Sequence, residues 1–176
     1  MRAVLDACVL FPTLTRGLLL DAAEAGVFVP LWSPRIAFEW TNAAARETPA
    51  AQVAAEAGAL AARWPEAEIA VPDGAADGLS LPDPDDTHVL AAAIAGRAEA
   101  IVTFNLKDFP GRTLARHGIM PWHPDPFLLE ALREAEAPML AALRARLGWL
   151  SADDSPRKIL KRARLPRFAK AAEPRL

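Results

Sequence analysis

The chain has one cysteine, three histidines and no long apolar run. The lone Cys8 excludes an internal disulfide and fits a reducing cytosol. His88, His117 and His123 are scattered, so no Cys/His cluster offers the donors of a structural zinc site. No apolar stretch approaches the roughly 20 residues that a membrane span needs. Arg2 is followed by only a few apolar residues before Asp6, which gives no signal peptide. A soluble, cytoplasmic protein is therefore expected. Internal repeats, a Gly/Ser linker, a glycine loop that could cradle phosphate and a Ser/His/Asp nucleophile set are also missing.

What is present suffices for a packed core. Hydrophobic residues make up 52% of the 176. That length predicts one domain, or one domain with an appendage. The net charge of −2 hides an asymmetry. Residues 1–150 hold 12 basic and 19 acidic side chains, and residues 151–176 hold 8 and 3. An acidic body thus carries a basic tail. The tail has two readings, a contact for RNA phosphates, or a solvated helix face or frayed end.

Short apolar runs alternate with helical patterns. Strands are predicted at Ala3–Leu5, Val27–Val29, Ile69–Val71, Ala100–Thr103 and Ile119–Met120. Helices are predicted over 12–25, from the Ser33-Pro34 start, over 50–64, over 86–95 and near 111–117. This alternation implies a three-layer α/β/α fold with a short parallel five-stranded sheet and C-terminal helices. Residues 126–148 read as one long amphipathic helix, followed by a basic helix near 155–164. The expected division is a sheet domain over 1–122 and a helical appendage over 123–176.

Asp83, Asp85 and Asp86 crowd a helix start, where acids favour the positive end of the helix. On a 3.6-residue period Asp86 alone aligns with Val89, Leu90, Ala93 and Ile94. It therefore sits at the edge of the inward stripe, while Asp85 points to the flank with His88. Asp6 ends the first strand. Glu39 falls among the apolar residues Ile36, Trp40 and Ala43. Asn105 and Asp108 follow the fourth strand. Ligands of open parallel sheets bind at the carboxyl ends of the strands. Carboxylates gathered there repel unless a cation joins them. An oxygen-only set suits Mg²⁺ or Mn²⁺ and supports metal-assisted phosphodiester chemistry.

The residues go beyond spacing. Val4-Leu-Asp-Ala-Cys-Val-Leu10, Glu39, Asp83-Pro-Asp-Asp-Thr-His-Val-Leu-Ala-Ala-Ala93 and Ile101-Val-Thr-Phe-Asn-Leu-Lys-Asp-Phe-Pro110 occur in order. Over roughly residues 3–120 this resembles the PIN-domain family, and Leu165-Pro-Arg-Phe168 resembles one bacterial branch of it. The resemblance implies a metal-dependent endoribonuclease, a VapC-type toxin of a toxin–antitoxin pair. It implies an RNA substrate, a small antitoxin partner, a homodimer and a Mg²⁺ or Mn²⁺ cofactor.

Carried over by motif, Asp6, Glu39 and Asp86 are the metal ligands. The family's fourth acid falls at Asn105, after Thr103-Phe104, with Asp108 the nearest carboxylate. The catalytic set is thus Asp6, Glu39, Asp86 and Asp108, supported by Thr103, Asn105 and Asp85. Cys8 stands where the family often has a polar residue and reads as buried packing. Two alternatives remain. A haloacid-dehalogenase-like phosphatase would need an acid two residues after Asp6, where Cys8 stands. A PIN fold without catalysis, acting as a binding or regulatory module, is favoured by Asn105 at an acid position.

Overall fold

The computed structural model describes residues 1–148 and 154–176. The part of the C-terminal appendage at 149–153 lies outside the described residues. In chain order the first elements are β1 (Arg2–Leu5), α1 (Ala7–Leu10), α2 (Thr13–Glu24), β2 (Val29–Leu31), α3 (Pro34–Ala44) and α4 (Ala50–Arg63). A 3₁₀ turn (Pro84–Asp86) leads into α5 (Thr87–Ala95). Then come β3 (Ala100–Val102), α6 (Gly111–Ala115), β4 (Met120–Trp122), α7 (Pro124–Glu134) and α8 (Glu136–Leu147). The chain closes with α9 (Pro156–Arg162) and α10 (Pro166–Ala172). Two compact units emerge: Met1–Phe11 with Val29–Trp122, and Pro12–Phe28 with His123–Leu176.

The first unit holds a parallel sheet of order β2-β1-β3-β4. It has four strands, not the five expected. The segment around Ile69 supplies one bridge, Glu68 to Trp32, and no strand. Pro72 lacks the N–H that a continued ladder would use. The inner strands β1 and β3 are apolar and buried from Ala3 to Leu5 and from Ala100 to Val102, as parallel strands covered on both faces are. Both edge strands carry a proline at the centre, Pro30 opposite Ala3 and Pro121 opposite Ile101. Val29 N–H bonds to Met1 and Met120 N–H to Glu99, so the residues flanking each proline face the sheet. Each proline's missing donor therefore lies on the outer edge. Helix α5 packs on β1 and β3.

Local chemistry sets the helix ends. Ser33 Oγ accepts the Ile36 N–H at 3.2 Å, and Pro34 follows it in the first turn of α3. Asp83 caps the 3₁₀ turn by accepting the Asp85 N–H at 3.0 Å.

The second unit is helical. Helix α10 packs on α7 and α9, and α2 packs on α7 and α8. The single helix expected over 126–148 is two, broken at Ala135 (φ −133°, ψ 58°). Pro138 explains the break, because its ring would clash with the carbonyl of residue 134 in a continuous helix. Asp21 and Arg146 form a two-pronged ion pair, with Nη2 to Oδ1 at 2.7 Å. Gly17 leaves room for that guanidinium: a Cβ there would lie 2.1 Å from Arg146 Nη1.

The tail from 156 onward is not a fraying end. Leu160, Leu165, Phe168, Ala169 and Ala172 are all fully buried. The Asp125 carboxylate, itself buried, accepts the N–H groups of Arg167 and Phe168 at 2.9–3.1 Å at the start of α10. The basic side chains lie on the outside of this packed pair, and several are paired: Lys158 and Arg162 with Asp154, and Arg157 with Glu173. No helix among the described residues is long and apolar enough to cross a membrane.

Candidate active site

The order β2-β1-β3-β4 reverses direction between β1 and β3, the place where parallel sheets open a crevice at their carboxyl ends. Asp6 follows β1, and Thr103 to Asn105 follow β3. The two loops are tied together by backbone: Asp6 N–H donates to Val102 at 3.1 Å. The Asp6 carbonyl then accepts from Val9 and Leu10 at 3.0 and 3.2 Å and opens α1.

Asp6 is 7% exposed, and two donors converge on its Oδ2. The Thr103 hydroxyl donates at 2.7 Å and the Cys8 thiol at 3.0 Å. Both are held in turn, since Asn105 N–H donates to Thr103 Oγ1 and Phe104 N–H to Cys8 Sγ. Burial, helped by the charge of Asp6, pushes the Cys8 thiol up to about 12. It stays protonated at neutral pH and serves as a donor. The expectation of plain packing at Cys8 is therefore corrected: α1 turns its thiol back onto the strand ends.

Thr103→Val keeps the shape and removes one of these donors. Hydrogen bonds to charged groups contribute about 1.5–3 kcal/mol, so a loss of that size is expected at neutral pH. A urea midpoint equal to that of the wild type would contradict it.

Asp86 sits at the junction of the 3₁₀ turn and α5. Its Oδ2 is buried and has no hydrogen-bond partner among the described residues. The carboxyl is raised from 3.8 to about 6, first by burial and then by the charges of Asp6, Asp83, Asp108 and Glu39. Oxygens from Asp83, Asp86 and Asp108 all lie within 4.8 Å of one another, a spacing that could hold a metal ion. Asp108 is buried, accepts from the Asn105 side-chain amide, and has the Lys107 ammonium 3.8 Å away.

Glu39 comes from the middle of α3. Its Oε1 is 3.2 Å from Arg35 Nε and 3.0 Å from His88 Nε2. Burial raises its pKa, and Arg35 opposes that. Burial, with Arg35 next in weight, pulls His88 down to about 4, so the ring is neutral.

The tight triad is thus Asp83, Asp86 and Asp108, which shares Asp86 and Asp108 with the expected set of Asp6, Glu39, Asp86 and Asp108. Asp6 and Glu39 act on Asp86 through their charge. Asp85 is exposed and adds to the charge felt by Glu39. Asn105 meets Asp108 directly. Sequence reasoning gave Asp83 a capping role, which it has, but kept it out of the site set; it also joins the triad. Sequence reasoning also left out His88.

A parallel α/β sheet with acids gathered over its switch point defines a class, and comparison gives that class its family. The PIN domain family matches residues 2–107, and the chain belongs to it. Over 47 residues it is 57% identical to "Putative ribonuclease VapC50" of Mycobacterium tuberculosis (strain ATCC 25618 / H37Rv). That match spans 27% of this chain and 28% of the relative. No solved structure matches the chain.

Proposed function

We propose that this chain is a divalent-metal-dependent endoribonuclease whose nuclease part is the unit of Met1–Phe11 and Val29–Trp122. The observation that carries this reading is the buried Oδ2 of Asp86. That atom has no partner among the described residues, and a carboxylate oxygen of Asp86 lies within 4.8 Å of oxygens from Asp83 and Asp108. Buried polar atoms are ordinarily satisfied. A buried acid among acids wants a hard cation, and oxygen donors suit Mg²⁺ or Mn²⁺. Asp86, with Asp6 and Glu39 from the motif and Asp83 and Asp108 from the triad, would hold it. When bound, such an ion supplies an activated water and offsets charge on a phosphodiester.

The chain's own groups prepare the site. Thr103 and Cys8 fix one oxygen of Asp6. Asn105 fixes Asp108. Without a cation, Asp86 holds a proton below about pH 6. The non-catalytic alternative drew on Asn105 at an acid position. Its bond to Asp108 favours the enzyme instead, because a carboxylate stands beside it.

The similarity to a segment of a protein named as a ribonuclease supports RNA as the substrate; the rest of the reading, a cytoplasmic toxin that pairs with a small antitoxin and forms a homodimer, is proposed with it. The purified chain should cleave RNA in Mn²⁺ or Mg²⁺, stop in EDTA, and lose at least about 100-fold activity as Asp6→Ala, in keeping with the range for catalytic groups. Equal cleavage by wild type and variant would overturn the reading and leave a binding module.

A further inference from the structure

We propose that His88 is a positioning residue: its Nε2–H fixes Glu39 within the acid cluster. This rests on the metal-dependent reading above and names a part of that site which the acidic motif does not contain.

Glu39 has a long, rotamer-rich side chain that remains about one-third exposed. Such a group loses entropy when it is held in one geometry. Two groups hold it. Arg35, one turn earlier on the same helix, is itself more than half exposed and so constrains little. His88 comes from a different helix, α5, and is 8% exposed. A rigid, buried ring on a second element is the stronger constraint. It also couples Glu39 to the helix whose start carries Asp86.

The hydrogen-bond inventory of the ring argues against an ordinary core histidine. An ionised carboxylate only accepts, so a bond to Glu39 requires the proton on Nε2 and leaves Nδ1 as the acceptor nitrogen. That Nδ1 is buried without a partner among the described residues. Leaving a buried acceptor unmade is unfavourable, and packing alone would be served by leucine. The arrangement makes sense if the donor to Glu39 is what the position needs. Groups that orient metal ligands typically change metal affinity about 10–100-fold when removed.

The test is calorimetric titration of the full chain with Mn²⁺. His88→Leu should weaken Mn²⁺ binding about 10-fold. His88→Gln, which returns an N–H donor to that place, should recover most of the affinity. In a Glu39→Gln background, His88→Leu should cause no further loss. Unchanged affinity in His88→Leu overturns the proposal. So does an equal loss on top of Glu39→Gln, or a His88→Gln variant as weak as His88→Leu, because either marks a merely structural role. A wild type that binds no Mn²⁺ removes the metal reading itself, and this role with it.

Discussion

Asp86→Asn is expected to abolish the proposed RNA cleavage and yet to make the metal-free protein more stable. The two effects share one cause. In the folded chain the Asp86 carboxyl titrates at about 6 rather than 3.8, so its ionised form is disfavoured there. Below pH 3.8 both folded and unfolded chains are protonated and nothing is lost. As pH rises, the unfolded chain ionises first while the folded chain keeps its proton. Stability therefore falls between about pH 4 and 6 and stays low above that window. Moving the group from 3.8 to about 6 corresponds to about 3 kcal/mol. Asp86 is only part-buried, so solvent screening reduces this to about 1–2 kcal/mol.

The asparagine variant lacks that loss. Its metal-free melting temperature at pH 7 should lie about 2–6 °C above that of the wild type, by the scaling for chains of this size. Saturating Mn²⁺ should reverse the order, since at 100 times Kd a ligand stabilises by about 2.7 kcal/mol. Scanning calorimetry in EDTA and in Mn²⁺, at pH 4 and pH 7, reads all four conditions. A metal-free variant that melts below the wild type at pH 7 would sink the account.

Phe168→Ala should cost about 3–5 kcal/mol, the usual loss for a large ring in a core. Phe168 is fully buried on α10, and its own N–H donates to the buried carboxylate of Asp125 at 2.9 Å. The loss should appear as a lower urea midpoint. Lys170→Ala, an exposed change on the same helix, should stay within about 0.5 kcal/mol. Similar midpoints for the two variants would return the C-terminal segment to the status of a loose, charged tail.

Different parts of the chain were legible for different reasons. Strands β1 and β3 could be read because a wholly apolar run between polar ends has few other uses. The segment around Ile69 looked similar, yet it lies at an edge, where apolar content alone does not promise a ladder. Strand β2 lies two residues later than expected because Val27 and Phe28 are as apolar as the strand itself. Pro138 announced the break between α7 and α8, but the leucine periodicity on either side concealed it.

At the site, helical phase placed Asp86 correctly beside Val89, Leu90 and Ala93, which are fully buried, although Ile94 is 39% exposed. The contact of His88 with Glu39 was out of reach. It joins two helices far apart in the chain, and no local period encodes such a pair. The double duty of Asp83 was hidden for the opposite reason. Its capping role is so common that it explains the residue fully without a site.

The two edge prolines have a consequence for assembly. A strand arriving from another molecule needs amide hydrogens to dock against, and Pro30 and Pro121 withhold them at the only outward-facing position of each three-residue edge strand. Neither rim of the sheet can template its own extension. Open-ended stacking of backbones at these two rims is therefore disfavoured.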